Sequence, residues 1–295
     1  MTALKTLPVL DVGGTHVAAA MVDVTAWRVV GRPVRLELDS AGSAAQILRT
    51  ITRAADSLGV EAGAVWGIAM PDPFDYRAGV ARFRGVDKFD ALDGLDMRAA
   101  LTSAFATTPE QLLFVNDADA FLLGEWVAGA ATGYCRCTGI TLGTGVGSSF
   151  IADGRIVDSG PLVPPGGRAH RLLVDGKPLE QLMSRRAIRA AYADATGDAT
   201  ADVREIALRA RGGSVKAAEV IGGAADPVGY VLGGWMRSFG TELAVVGGAM
   251  TGSWDVFGPP LLSGLRRGGY AGQVATARYT GTAPLLGAAY FLAHH

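Results

Sequence analysis

Asn116 and Asp117 are the side chains in this sequence best placed to do chemistry. They follow the apolar segment Leu-Phe-Val and precede a stretch with helical spacing, so they stand where a buried strand turns into a helix. Ligand-binding groups of open sheets usually lie at such a point. Phosphoryl transfer to an alcohol needs a carboxylate that accepts the hydroxyl proton, and Asp117 meets that requirement. The competing interpretation is an ordinary helix cap, because Asn and Asp are favoured capping residues.

The composition favours the functional interpretation. Asn116 is the only asparagine of the 295-residue chain, so a composition that avoids this residue elsewhere retains it here. Asp119 and Glu125 follow further along the same helix, where we expect them to be solvated or paired. Asp117 is therefore the candidate general base.

Two glycine turns have the residue types that a polyphosphate needs. Each offers backbone without side chains, amide donors and a hydroxyl group. Each could also be an ordinary β-hairpin turn, but their repetition favours phosphate binding. The second turn lacks the third glycine and the following helix of a dinucleotide site. The candidate binding residues are Asp11, Gly13, Gly14 and Thr15 in the first turn and Gly143, Thr144 and Gly145 in the second.

A third glycine turn, Gly247-Gly248, ends another apolar segment. Its bare backbone could let an adenine ring lie flat against it. A plain strand-to-helix turn would have the same sequence. The third turn is therefore a candidate adenosine site with an equally simple structural alternative.

The elements that position these turns alternate between strand and helix patterns. Residues 8–24 predict strand, tight turn and strand, and residues 138–154 repeat that pattern. The repetition, with the size of the chain, favours an α/β protein with two lobes. Further strands are predicted at 64–70, 112–115 and 243–246, and helices at 41–58, 97–105, 179–192, 201–210, 228–239 and 284–292.

Composition restricts the class of partner. The chain is 49% apolar and 19% charged with a net charge of −1, so it has no electrostatic footprint for nucleic acid or an anionic membrane. Small-molecule partners are favoured. The segment before Asp11 has neither the pattern of a signal peptide nor that of a membrane span, which predicts a cytoplasmic protein.

Four segments together resemble the ROK family, which joins bacterial glucokinases, N-acetylhexosamine kinases, fructokinases and sugar-responsive repressors. The resemblance spans nearly the full length, and the segment around Asp117 is its most specific part. The matching segments read DVGGTHVAAAMVD, FVNDADAFLLGEW, LGTGVGSSFIADG and VVGGAMTG.

The resemblance implies an actin-like ATPase fold, which is ribonuclease H-like, with a mixed sheet and flanking helices in each lobe. It places the first lobe at residues 1–117, with a terminal helix at 284–295 packing back onto it. The second lobe then comprises residues 118–283. A homodimer is also favoured.

The function that the resemblance implies is ATP-dependent phosphorylation of a hexose or hexose derivative. A glucose-like sugar would be phosphorylated at its 6-hydroxyl, with Asp117 as general base and Asn116 beside it on the sugar. The glycine turns would hold ATP, and Mg²⁺ would lie near Asp11.

Residues 166–184 depart from the family pattern. His170 is kept, but Gly167 stands where the family has a glutamate, and no cysteine cluster follows. One histidine without thiolates cannot close a tetrahedral zinc site, so no structural zinc is expected. The flanking match still implies sugar contacts for His170 and Glu180. The missing glutamate leaves the identity of the hexose open.

Three alternative functions remain at this stage. A polyphosphate-dependent sugar kinase is one, and a sugar-binding or regulatory protein without catalysis is another. A sugar-responsive repressor is disfavoured, because it needs a helix-turn-helix segment and only ten residues precede Asp11.

Overall fold

The computed structural model describes residues 5–86 and 88–295. The chain divides into two compact units, Met1–Thr132 with Gly281–His295, and Gly133–Thr280. Each unit contains a five-stranded mixed sheet with flanking helices. The predicted α/β class is confirmed.

The sheet of the first unit has the strand order β3-β2-β1-β4-β7. Strands β1, β4 and β7 run parallel, while β2 is antiparallel to both of its neighbours. The first-unit strands are β1 (Thr6–Val12), β2 (His16–Asp23), β3 (Arg28–Glu37), β4 (Val65–Met70), β5 (Phe74–Asp75), β6 (Val80–Ala81) and β7 (Gln111–Asn116). Its helices include α1 (Ala44–Asp56), α2 (Met97–Ala104) and α3 (Asp117–Ala128).

The second unit repeats this arrangement with the strand order β10-β9-β8-β13-β14, in which β8, β13 and β14 are parallel. Its strands are β8 (Arg136–Leu142), β9 (Val146–Ala152), β10 (Arg155–Ile156), β11 (Leu173–Val174), β12 (Lys177–Pro178), β13 (Leu243–Gly247) and β14 (Gln273–Thr276). Its helices are α4 (Glu180–Met183), α5 (Arg185–Thr196), α6 (Val203–Arg211), α7 (Val215–Phe239) and α8 (Trp254–Arg267).

The terminal helix α9 (Ala283–Ala293) belongs to the first unit, where it packs on β1, β4 and α3. Glycines allow the close approach of α9 to α3. A Cβ atom at Gly287 would overlap the carbonyl of Ala120, and one at Gly124 would overlap the carbonyl of Ala283. Backbone therefore packs directly against backbone between these helices.

The division of the chain into compact units differs from the expected boundary at residues 117 and 118. Helix α3, assigned from the sequence to the second lobe, lies in the first unit because α9 packs along it. The chain passes from one unit to the other at Thr132–Gly133 and returns at Thr280–Gly281.

Several elements were not predicted, and β3 and α8 are the longest of them. Strand β3 is largely exposed and charged, so it lacks the alternation of a half-buried strand. Helix α8 contains Pro259 and Pro260, which normally mark a loop. Its apolar face packs against α7, and Gly264 lies directly on the carbonyl of Asp226. Within the described part of the chain, no helix is both long and apolar enough to span a bilayer.

Candidate active site

Polar residues of the first unit gather at one edge of its sheet. The parallel strands β1, β4 and β7 end there, and the carboxyl ends of parallel strands in an open sheet form the usual ligand site. Strand β1 leads into the first glycine turn, β4 into Asp72, and β7 into Asn116 and Asp117.

Asn116 joins two of these strand ends. Its Oδ1 accepts hydrogen bonds from the backbone N–H groups of Ala118 (3.0 Å) and Asp119 (3.2 Å), which caps α3. Its Nδ2 donates to Oη of Tyr76 (2.9 Å) and to Oδ2 of Asp72 (3.2 Å). The buried amide thus makes the four hydrogen bonds that such a group can make.

The N-cap of α3 is therefore Asn116 and not Asp117. Asp117 occupies the first helical residue, is partly exposed, and accepts a hydrogen bond at Oδ1 from the N–H of Ala118 (2.8 Å). The positive end of the helix dipole faces its carboxylate. Because Asn116 supplies the cap, helix capping does not explain why position 117 is an aspartate.

The later acids of α3 lie in the interior and are not solvated. Asp119 is 5% exposed and Glu125 is fully buried. Glu125 folds back to accept a hydrogen bond at Oε2 from the N–H of Ala130 (2.8 Å), just beyond the end of the helix. Its role there is to satisfy backbone groups after α3.

Asp11 lies near the end of β1, close enough to Asp117 for the two carboxylates to repel. Burial, with the charge of Asp117 as the second cause, raises the pKa of Asp11 to about 7, although the Arg35 guanidinium acts in the opposite direction. Two neighbouring carboxylates are a donor set that suits Mg²⁺, which takes one or two carboxylates together with substrate phosphates. Among the described residues there is no cluster of three or more metal-ligating side chains.

The first glycine turn connects β1 and β2 as a tight hairpin. The N–H of Gly13 donates to the carbonyl of His16 (2.9 Å), and the N–H of Leu38 donates to the carbonyl of Thr15 (3.0 Å). The Thr15 side chain is exposed at the tip of the turn and contacts Nδ1 of His16 through Oγ1 (3.2 Å). The hairpin geometry and an accessible hydroxyl therefore occur together.

The second and third glycine turns lie side by side within the second unit. A Cβ atom at Gly248, whose φ is 91°, would overlap the carbonyl of Leu142 at the end of β8. A Cβ atom at Gly145 would lie 2.7 Å from Oε2 of Glu180. Glu180 therefore contacts the second turn. A side chain at Gly145 would block this contact, and one at Gly248 would block the approach of the third turn to Leu142.

The segment around His170 is held against β9 by Ser148. The Ser148 hydroxyl donates to the carbonyl of Gly167 (2.6 Å) and accepts from the N–H of Ala169 (2.8 Å). Gly167 is buried with a φ of 70°, a left-handed conformation that a glutamate would adopt only with strain. Nε2 of His170 accepts a hydrogen bond from Arg171 Nε (3.3 Å). The backbone conformation at position 167 therefore favours glycine, whereas the family pattern has glutamate there.

Four further residues of the first-unit site were not singled out from the sequence. They are His16, Arg35, Asp72 and Tyr76. Asp72 carried one signal, since it stands between two prolines at the end of a predicted strand. Arg35 lies on β3, which was not predicted.

Replacing Asp11 with asparagine is expected to stabilise the ligand-free protein at pH 8. Because burial raises the pKa of Asp11 from 3.8 to about 7, the folded state keeps a proton that the unfolded chain has lost between these values. Wild-type stability therefore falls as pH rises from about 4 to about 7, by at most ~4 kcal/mol. Asparagine does not ionise, so its contribution to stability does not change with pH in this range.

Thermal unfolding without magnesium or nucleotide, at pH 4 and pH 8, measures the effect. The gain in Tm of Asp11→Asn should be largest at pH 8 and should shrink towards pH 4. A variant that is no more stable than the wild type at pH 8 would contradict the burial of this carboxylate.

The comparisons with known proteins agree with the fold. The ROK family profile matches residues 8–166, which is more than half of the chain. The chain is 27% identical over 284 residues to a glucokinase of Thermotoga maritima, covering 88% of this chain and 86% of that protein.

Solved structures are similar over almost the whole chain. A ROK hexokinase from Thermus thermophilus has a TM-score of 0.77 and 26% identity, with 98% of this chain and 99% of that one covered. A ROK family glucokinase from Streptomyces griseus, solved with glucose and AMPPNP, has a TM-score of 0.77 and 24% identity, with 97% and 98% covered. The expected actin-like ATPase fold is confirmed, and the chain belongs to the ROK family.

Proposed function

We propose that this chain is an ATP-dependent sugar kinase in which Asp117 is the general base. The observation that carries the proposal is the position of Asp117 directly after the helix cap Asn116, at the same sheet edge as Asp11 and the first glycine turn. A partly exposed carboxylate beside a turn suited to phosphate is what phosphoryl transfer to an alcohol requires. Kinases among its relatives support the same reaction class.

The chemistry assigned to the chain is a single displacement. The sugar hydroxyl gives its proton to the Asp117 carboxylate, its oxygen forms a bond to the terminal phosphorus, and the bond from that phosphorus to the ADP oxygen breaks. Mg²⁺, held by Asp11 with the phosphates, would neutralise charge on the transferring group. Asn116 fixes the start of α3 and thereby the direction in which Asp117 points.

The other residue assignments follow the predictions from the sequence. ATP is assigned to the first turn, to Gly143, Thr144 and Gly145, and to Gly247 and Gly248. Gly13 and Gly14 admit the close approach of phosphate because they carry no side chain. Sugar contacts of Asp117, of His170 and of Glu180 stay predictions from the family resemblance. A direct sugar contact of Asn116 stays a prediction, and it would require exchange of one of its four internal hydrogen bonds.

The proposed substrate is a glucose-like hexose phosphorylated at the 6-hydroxyl. Support comes from the glucokinase and the hexokinase to which the chain is similar. The left-handed glycine at position 167 removes one family side chain from the sugar site, so specificity is expected to differ from that of relatives with glutamate there. Cytoplasmic location stays a prediction from the sequence, and a homodimer stays one from the family resemblance.

A turnover assay with a panel of hexoses and N-acetylhexosamines tests the proposal. Each sugar is combined with ATP or with polyphosphate, and phosphorus NMR identifies the hydroxyl that is phosphorylated. We expect a 6-phosphate of a glucose-like sugar with ATP and magnesium. Turnover with polyphosphate alone would favour the alternative donor, and sugar binding without turnover for any donor would favour a regulatory protein.

A further inference from the structure

The imidazole ring of His16 lies between an arginine and the hydroxyl of the first glycine turn. Its Nε2 is 2.6 Å from Nη2 of Arg35, and its Nδ1 is 3.2 Å from Oγ1 of Thr15. The ring also covers Gly13, since a Cβ atom there would lie 3.7 Å from the ring carbon Cε1. His16 is therefore in contact with the turn and with β3 at once.

The arginine determines which nitrogen of His16 carries the proton. A guanidinium group has only donors, so Nε2 must accept the hydrogen bond from Arg35. The neutral ring then carries its proton on Nδ1, which donates to Oγ1 of Thr15. Burial, with the charge of Arg35 as the second cause, lowers the pKa of His16, in agreement with a neutral ring.

The sheet register explains how Arg35 reaches this position. Asp11, Ala18 and Arg35 are direct neighbours across β1, β2 and β3, so their side chains share one face of the sheet. The small side chain of Ala18 leaves room for Arg35 to extend over it. His16 lies two residues before Ala18 and shares the same face. Arg35 is thus held between an acid on one side and His16 on the other.

We propose that His16 is a positioning residue that directs the Thr15 hydroxyl towards a phosphate of the donor. Because Thr15 Oγ1 accepts a hydrogen bond from Nδ1–H of His16, its own O–H is turned away from the ring, and the exposed side chain can donate that O–H to an anionic oxygen. Arg35 thus donates a hydrogen bond to His16, His16 donates one to Thr15, and Thr15 donates one to the phosphate. This inference rests on the proposed kinase function, which supplies the phosphate ligand.

The test is a double-mutant cycle between His16→Phe and Thr15→Val. Phenylalanine keeps a ring over Gly13 but removes both nitrogens, and valine removes the hydroxyl at similar volume. Each single change should raise KM for ATP and the Kd of AMPPNP about 10- to 150-fold, the effect of one hydrogen bond to a charged group, with a smaller change in kcat. The double variant should be no worse than Thr15→Val alone.

Two further variants separate positioning from a structural role. His16→Asn keeps an N–H donor near the position of Nδ1 and should recover most of the lost AMPPNP affinity. His295→Phe, at the exposed end of the chain, is the control for a histidine-to-phenylalanine change and should leave Kd unaltered. Circular dichroism at the assay temperature checks that all variants are folded.

The binding titration distinguishes failure of this inference from failure of the proposed function. Wild-type protein that binds AMPPNP but phosphorylates no sugar would count against the kinase reaction. The double-mutant cycle would still test the role of His16 in that case, because it is measured by the Kd of AMPPNP. Additive effects of His16→Phe and Thr15→Val would overturn the inference. So would an absence of AMPPNP binding by the wild type, or no recovery in His16→Asn.

Discussion

Replacing Asp117 with asparagine is expected to lower kcat by about 10²–10⁴-fold, the typical contribution of a general base. Asparagine keeps the size and hydrogen-bonding shape of the side chain but cannot accept the hydroxyl proton. The N-cap of α3 is Asn116, so the helix start should not depend on the charge of Asp117. Steady-state kinetics with ATP, magnesium and the best sugar of the panel measures the change.

The matched control is Asp194→Asn, the same chemical change at an exposed position on α5. Its kcat and its Tm should both equal those of the wild type. In Asp117→Asn the sugar Kd, measured by calorimetry, should change little while kcat falls. Near-normal turnover together with a normal Tm in Asp117→Asn would mean that another residue is the base.

Replacing Gly287 with alanine is expected to destabilise the first unit by about 3 kcal/mol or more, at the upper end of overpacking effects. The added Cβ would overlap the carbonyl of Ala120, so α9 must move away from α3. Helix α3 carries Asp117 at its first residue, and turnover should fall as well. Because two compact units can unfold separately, hydrogen exchange of peptides from α3 and α9 is the appropriate measurement.

Gly222→Ala is the control, because the same substitution is expected to increase stability at this position. Gly222 lies within α7, and a Cβ atom there meets no atom within 4 Å. Alanine at this position should stabilise α7 by about 0.5–1 kcal/mol, because it restricts the unfolded chain without a clash. Unaltered exchange protection of α3 and α9 in Gly287→Ala would contradict the direct backbone packing of these helices.

The local elements of the site could be predicted from the sequence. The hairpin around the first glycine turn, its repeat around the second, and the strand that ends at Asn116 all depend on neighbours in the chain. Apolar periodicity and glycine turns report such short-range structure directly. The family and the α/β fold followed from these segments and are confirmed, while the assigned roles of the site residues stay predictions.

Only the tertiary structure decided which distant residues meet. Arg35 contacts His16 through the register of an exposed edge strand, and Asp72 bonds to Asn116 across the ends of two parallel strands. The boundary of the first unit likewise depends on glycines of α9, near the end of the chain, that fit against α3. Such contacts are set by strand register and by close packing between elements. Neither leaves a periodic signal in the local sequence, and this is why His16 and the boundary at Thr132 became visible only in the folded chain.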